Sequence, residues 1–236
     1  MLRVAWTLIG FGMMSTASVA EAPAAFEVRW VGALHKVMMG ADEGVISLQT
    51  LEHEKNLYAI GPLEGLDGEI TVFDGEPAIA RVREGRPIVE RTFQVRAPLL
   101  IWVQVKGWAS TPLPPTLRSL EELDAFVGTT AKARGLDMSA PFPFRVTARV
   151  HEARMHIVNR QGRPVGGHTE HESIQFPLSI EDSAVELIGF WSVRHQRILT
   201  HMGSNIHVHG RTADGRLSGH VDEARFVSGE LWLPGR

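Results

Sequence analysis

The sequence predicts an α/β protein of the α+β type, with mixed and mostly antiparallel sheets and few helices. Three observations lead there. Glu69-Ile70-Thr71-Val72-Phe73 is a β-branched run set between Asp67-Gly68 and Asp74-Gly75, dipeptides that favour hairpin turns. Further apolar or alternating runs fill the second half, separated by polar breaks. Strong helix punctuation occurs at Ser119-Leu120-Glu121-Glu122, a capping box that can satisfy free backbone N–H groups at a helix start.

In chain order, residues 1–20 read as a secretory signal. Arg3 gives a positive start, Val4 to Met14 is a short apolar stretch, and Ala17-Ser18-Val19-Ala20 ends in small residues at the A-x-A spacing. Cleavage is expected after Ala20, leaving residues 21–236 as one domain in a secreted or periplasmic protein. Phe26, Val28 and Trp30 alternate with charged residues, as in a strand, and Ser47 to Lys55 reads as a short helix. The meander around Glu69–Phe73 continues in strands at Ala78–Val82 and Leu99–Val105, and Thr111 to Pro115 is a proline-rich break. Leu120, Leu123, Val127 and Ala131 follow the capping box at helical spacing, and Gly135 supplies the stop. Pro141 and Pro143 mark a second break, followed by strands at Phe144–Val158 and Val185–Trp191. Gly166 to Glu172 between them reads as a solvated loop. The last strands are expected near Asn205–His209 and Gly219–Phe226.

Composition narrows the function classes. The 236 residues carry 24 basic and 27 acidic groups, a net charge of −3, which argues against nucleic acid as a partner. No apolar run reaches the roughly 18–20 residues of a membrane helix. With no cysteine, disulfides, thiolate metal sites and cysteine nucleophiles are excluded together. Histidine is unevenly placed: of 11, only His35 and His53 precede residue 151. Imidazole is the commonest metal ligand, so chemistry is to be sought in the second half.

The sharpest local argument lies in Asn205-Ile206-His207-Val208-His209, Asp214-Gly215 and Gly219-His220-Val221. Strand alternation puts His207 and His209 on one face. If Asp214 and Gly215 are the two residues of a hairpin turn, His209 stands directly opposite His220, with Cβ atoms about 4.5–5.5 Å apart. In that register Val208 faces Val221 on the apolar side, and Asp222 faces His207 as a ligand or as a partner orienting a ring N–H. Three convergent imidazoles suit Zn2+, though another divalent metal fits similar nitrogen sites. The other histidines, His151, His156, His168, His171, His195 and His201, lack such a register and are expected to be surface or hydrogen-bonded core residues. Taken alone, Glu69 is a carboxylate after a turn, for which exposure is the expectation.

Ile188-Gly189-Phe190-Trp191, His207-Val208-His209, Asp214 and Ser218-Gly219-His220-Val221 together resemble the α-acetolactate decarboxylase family. An N-terminal block agrees: Leu51, Gly65-Leu66-Asp67-Gly68-Glu69 and Phe73-Asp74-Gly75 are similar to that family's helix, LDGE segment and D-G turn. The resemblance implies a metalloenzyme, usually dimeric, that converts (S)-2-acetolactate to (R)-acetoin and CO2. It implies zinc on His207, His209 and His220, and a proton-transfer role for Glu69. The substrate is a small 2-hydroxy-3-oxo acid. The metal would stabilise the enediolate left when CO2 departs, and Glu69 would then protonate one face of it. Such a Glu69 needs a desolvated site to keep its proton near neutral pH. The sequence departs from the family at two places. His156 stands four residues before Arg160, where the family has an active-site arginine, and the family's C-terminal glutamate has no assigned counterpart. These departures keep open an exported three-histidine metal- or ligand-binding protein without turnover.

Overall fold

The computed structural model describes residues 26–163 and 168–235. The signal segment expected at residues 1–20 lies outside them. No helix among the described residues is long and apolar enough to cross a membrane.

The first sheet is antiparallel. Its strands are β1 (Arg29–Val31), β3 (Leu57–Pro62), β4 (Glu69–Phe73), β5 (Glu76–Arg83), β6 (Arg86–Glu90) and β8 (Leu100–Gln104), in the order β1-β8-β3-β4-β5-β6. A short helix, α1 (Leu34–Met38), follows β1, and β2 (Ile46–Ser47) pairs with β7 (Arg96–Ala97) as a separate ribbon. The expected Ser47–Lys55 helix is a single 3-10 turn at Leu48–Leu51. Asp74 and Gly75 form the two-residue turn between β4 and β5, with φ of 50° and 81°. Positive φ at both positions suits the right-handed twist of the strands, and glycine takes it without a Cβ clash. Glu84-Gly85 makes the same turn between β5 and β6. Asp67-Gly68 does not; it ends a longer loop closed by Leu63 N–H donating to the Gly68 carbonyl at 2.9 Å.

The second sheet comprises β9 (Trp108–Pro112), β10 (Phe142–Val158), β11 (Gln175–Trp191), β12 (Ile206–Thr212) and β13 (Ser218–Pro234). Its order is β10-β11-β12-β13-β9, and β13 also pairs with β10, so β10 to β13 close on themselves. β9 ends at Thr111 and Pro112, the first two residues of the expected proline-rich break. It occupies an edge position against β13, where Pro112 tolerates the loss of its N–H. Helix α2 (Leu120–Ala133) starts as read: Ser119 Oγ accepts from Glu122 N–H at 3.1 Å. The reciprocal half of the box shifts by one residue, because the Glu122 carboxylate takes the Arg118 N–H. Its buried stripe, Leu123, Val127 and Ala131, joins Phe142, Phe144 and Trp191 in one apolar cluster. The stretch expected as a solvated loop contains a short helix, α3 (His168–Ser173).

Alternation along the first sheet decides what faces the second. Along β3, Leu57 and Ala59 enter one apolar cluster, while Tyr58 and Ile60 enter another shared with Ile188 and Phe190 of β11. Along β4, Ile70 and Val72 lie in the outer cluster and Phe73 in the inter-sheet one. Glu69 and Thr71, of the same parity as Phe73, therefore point at the second sheet. On β12 the parity is reversed in chemistry: Ile206 and Val208 serve the cluster under α2, and His207 and His209 face β4.

Candidate metal centre

The hairpin register is as expected: His209 pairs with His220, Gly210 with Gly219 and Arg211 with Ser218. The turn is longer than two residues. Thr212 N–H donates to the Leu217 carbonyl at 3.0 Å, so Ala213 to Arg216 form a four-residue loop in which only Gly215 has positive φ, 68°. The extension adds one residue on each side and leaves the register intact. The expected Asp222–His207 pairing is not observed. β12 and β13 part after His209 and His220, and β13 pairs with β10 instead, setting His156 opposite His220. Gly219 makes this approach possible, since a Cβ there would lie 2.4 Å from the His156 carbonyl oxygen.

His156, His220 and His209 thus form a row across three adjacent strands, with His207 two residues along β12. The ring centroids of His207, His209 and His220 are 5.1, 5.3 and 5.5 Å apart. A tetrahedral ion with metal–nitrogen distances of about 2.0–2.1 Å would hold imidazole centroids about 5.2 Å apart. Each ring is held through Nδ1. His207 Nδ1 donates to the Leu199 carbonyl at 2.8 Å. His209 Nδ1 is 3.2 Å from Thr71 Oγ1, which also accepts from Ser218 Oγ at 3.2 Å. His220 Nδ1 is 3.3 Å from the Asp222 carboxylate. The Nε2 atoms of His209 and His220 are buried without any hydrogen-bond partner. Orphaned buried nitrogens cost free energy unless something fills their lone pairs, and a divalent cation does so. The chemistry of these donors, imidazole nitrogens, suits such an ion.

Electrostatics point the same way. Burial, reinforced by the neighbouring histidines, lowers His207 and His209 well below the ordinary imidazole value, so both are neutral at pH 7 as ligands must be. Glu69 is 3% exposed, contrary to its bland expectation. Burial raises its carboxyl well above the usual range, Asp222 adds to this, and a hydrogen bond from Val158 N–H at 3.3 Å only partly opposes it. Glu69 Oε2 lies 3.8 Å from His209 Nε2. Both shifts favour the uncharged forms of this pair.

Two histidines that sequence reasoning assigned to the surface or core join the cluster. His156 stacks on His220, centroids 4.7 Å apart, and its Nδ1 reaches both Asp222 oxygens at 2.8 and 2.9 Å. Burial lowers His156, with the Asp222 hydrogen bond opposing. His156, His220 and Asp222 offer ligand atoms within 4.8 Å of one another and could themselves hold a metal, although each nitrogen on this edge has a hydrogen bond to Asp222. His201, on the loop between β11 and β12, lies 5.4 Å from His220 and 5.9 Å from His207, and burial lowers it to about 3. That loop is tied to α1 by Leu34 and His35 N–H groups donating to the Ile198 and Arg197 carbonyls, both at 2.9 Å. A cavity of about 550 Å³ opens on the cluster, walled by α1, by His171 of α3 and by His201. Neither His156 nor His201 carried a local signal, because their places depend on β10–β13 pairing and on a loop.

Compared with known proteins, residues 30–233 match the family model described as alpha-acetolactate decarboxylase. The chain belongs to the alpha-acetolactate decarboxylase family. Its fold is similar to that of alpha-acetolactate decarboxylase from Bacillus subtilis strain 168, at TM-score 0.72 and 16% identity over 89% of this chain and 86% of that one. The acetolactate decarboxylase from Bacillus subtilis subspecies spizizenii gives 0.73 at 16% identity, over 89% and 86%. A Staphylococcus aureus protein of unknown function similar to alpha-acetolactate decarboxylase gives 0.70 at 18%, over 87% and 84%. A comparison with curated proteins gave no match. At these identities the structural likeness speaks for the α+β fold, and the chemistry has to be argued from this chain's own residues.

Proposed function

We propose that this protein is a metal-dependent decarboxylase of a small 2-hydroxy-3-oxo acid, converting (S)-2-acetolactate to (R)-acetoin and CO2. In this reading His207, His209 and His220 hold the ion through Nε2, with Zn2+ the expected metal and other divalent ions chemically compatible. The observation that carries it is the division of labour on those rings: every Nδ1 faces a protein oxygen, and the Nε2 atoms of His209 and His220 are buried with no hydrogen-bond partner. Partners on the far nitrogen fix the tautomer and the ring direction, as they do around nitrogen-ligated metals. Bound there, a divalent ion supplies Lewis acidity to the substrate's carbonyl and hydroxyl oxygens.

Glu69 has the second role. When the carbon–carbon bond to the carboxylate breaks and CO2 leaves, the carbon left behind must gain a proton. Burial favours the protonated form of Glu69, which stands beside His209, so it delivers that proton from one side and recovers one from water. Delivery from one side sets the configuration of the product. The wall of Leu34, Val37 and Met38 keeps this part of the cavity apolar.

One observation favours a second reading, an exported three-histidine metal- or ligand-binding protein without turnover. No lysine or arginine lines the cavity among the described residues. Arg160 is committed elsewhere, to the Asp42 carboxylate, and Arg154 to Glu152 and Glu223. A substrate carboxylate therefore meets no side-chain cation. Elemental analysis and acetolactate turnover, on wild type and Glu69→Gln, separate the two readings. About one metal per chain in both proteins, with kcat reduced roughly 10²–10⁴-fold in the variant, supports the decarboxylase. Metal without turnover in the wild type supports the binding protein, and absence of stoichiometric metal overturns the decarboxylase and any metal-binding role.

A further inference from the structure

His156 is left over once three histidines are assigned to an ion and Glu69 to the proton. Its ring is 6% exposed and lines the cavity next to His220. Asp222 holds it by one edge: both carboxylate oxygens sit within 2.9 Å of Nδ1, so that nitrogen carries the proton. The opposite nitrogen, Nε2, then bears a lone pair. It has no protein partner among the described residues, yet it is not among the buried polar atoms sealed from solvent. His156 lines the cavity that opens on the cluster, and Nε2 is the ring nitrogen left free to meet an occupant.

We propose that His156 is a further substrate-contacting residue, whose Nε2 accepts a hydrogen bond from the hydroxyl on the acid-bearing carbon of the substrate. The chemistry selects the hydroxyl. A nitrogen that only accepts cannot bind a carboxylate, which also only accepts. The Asp222 carboxylate borders the same region and further disfavours an anion there. A 2-hydroxy acid presents an O–H donor to His156, while its deoxy counterpart leaves that nitrogen desolvated and unpaired. Sites built on a hydrogen bond reject analogues that lack the group more strongly than apolar pockets do. Asp222 is the positioning residue, holding the imidazole in the tautomer that points its lone pair at the ligand. The inference rests on the decarboxylase reading for the rest of the substrate, but the hydroxyl contact is separately measurable.

The test uses two inert acids that cannot decarboxylate by this route, 2-hydroxy-2-methylpropanoate and 2-methylpropanoate. Their affinities for the metal-loaded protein are measured by calorimetry, with acetolactate kinetics alongside, for wild type, His156→Leu and His156→Gln. Wild type should prefer the hydroxy acid. His156→Leu should retain its metal and lose about tenfold of that preference, the worth of one hydrogen bond, with a similar loss in kcat/KM. His156→Gln, whose amide can give N–H to Asp222 and turn its oxygen to the cavity, should recover part of both. The Gln variant also serves if His156→Leu does not fold. An unchanged preference in both variants overturns the inference, as does an equal loss of affinity for both acids, or no preference in the wild type. If the wild type has no turnover but the preference depends on His156, the decarboxylase reading fails and this contact stands. If turnover is present and the preference ignores His156, only the contact fails.

Discussion

The five clustered histidines divide into two groups that differ in how they are held. His207, His209 and His220 sit on one hairpin and each has a protein oxygen at Nδ1. His156 and His201 lie against the same centre from outside the hairpin; Asp222 clamps the first, and the ring of the second has no hydrogen bond among the described residues. The chemistry of the five rings is identical, so their roles follow from which nitrogen is spoken for and where the other is aimed. Proximity alone would have made five ligands of them. In the proposed reading hydrogen bonding sets three of them as ligands, and the other two line the cavity beside them.

Breaking the hairpin group should have the largest effect. His209→Ala should lose the metal on dialysis and turnover with it, read by elemental analysis; one ion per chain retained in the variant would remove the hairpin from the site. Thr71→Val tests the hold on a ring without touching the ring. It keeps the shape of the side chain but takes away the oxygen 3.2 Å from His209 Nδ1. Metal affinity should fall about 10–100-fold in a competition titration, the usual worth of such an outer partner. An unchanged affinity would mean that the Nδ1 contacts are incidental.

A stability measurement on metal-free protein sharpens the account of Glu69. Its folded carboxyl binds a proton more tightly than the unfolded one, because burial raises it well above 4.5. Wild-type stability from this group is therefore fully present below about pH 4.5 and falls as pH rises towards the folded value, by up to about 1.4 kcal/mol per pH unit. Glu69→Gln carries no such titration. Its melting temperature relative to wild type should climb as pH rises from 4.5, and a difference flat with pH would place a charged carboxylate in the site. The smallest effect is expected outside the hairpin: His201→Phe should leave metal content and metal affinity unchanged. A loss of metal there would erase the distinction between the two groups.

The elements that could be read from the sequence share one property, a short range of interaction. The Asp74-Gly75 turn follows from two adjacent residues that tolerate positive φ. The start of α2 follows from the Ser119 hydroxyl reaching a backbone N–H three residues on. The last Asp-Gly pair shows how far such reasoning extends. The loop at Asp214-Gly215 is longer than expected, yet His209 still faces His220, because lengthening a hairpin evenly preserves its register. The reading failed where two strands part: alternation placed Asp222 opposite His207, whereas β13 leaves β12 there to pair with β10.

Residues 205–221 therefore contain in themselves the meeting of His207, His209 and His220 on one face, because strand alternation and a nearby turn are local physics. Packing of distant segments decided the rest. Glu69 is 140 positions from His209 in sequence, and its burial comes from two sheets closing over it. His156 reaches His220 only because Gly219 lets β13 lie against β10. His201 is brought in by a loop anchored on α1. Nothing within a few residues of Glu69, His156 or His201 sets those distances. They emerge when apolar faces far apart in the chain find one another, and that closure also expels the water that would have kept Glu69 charged.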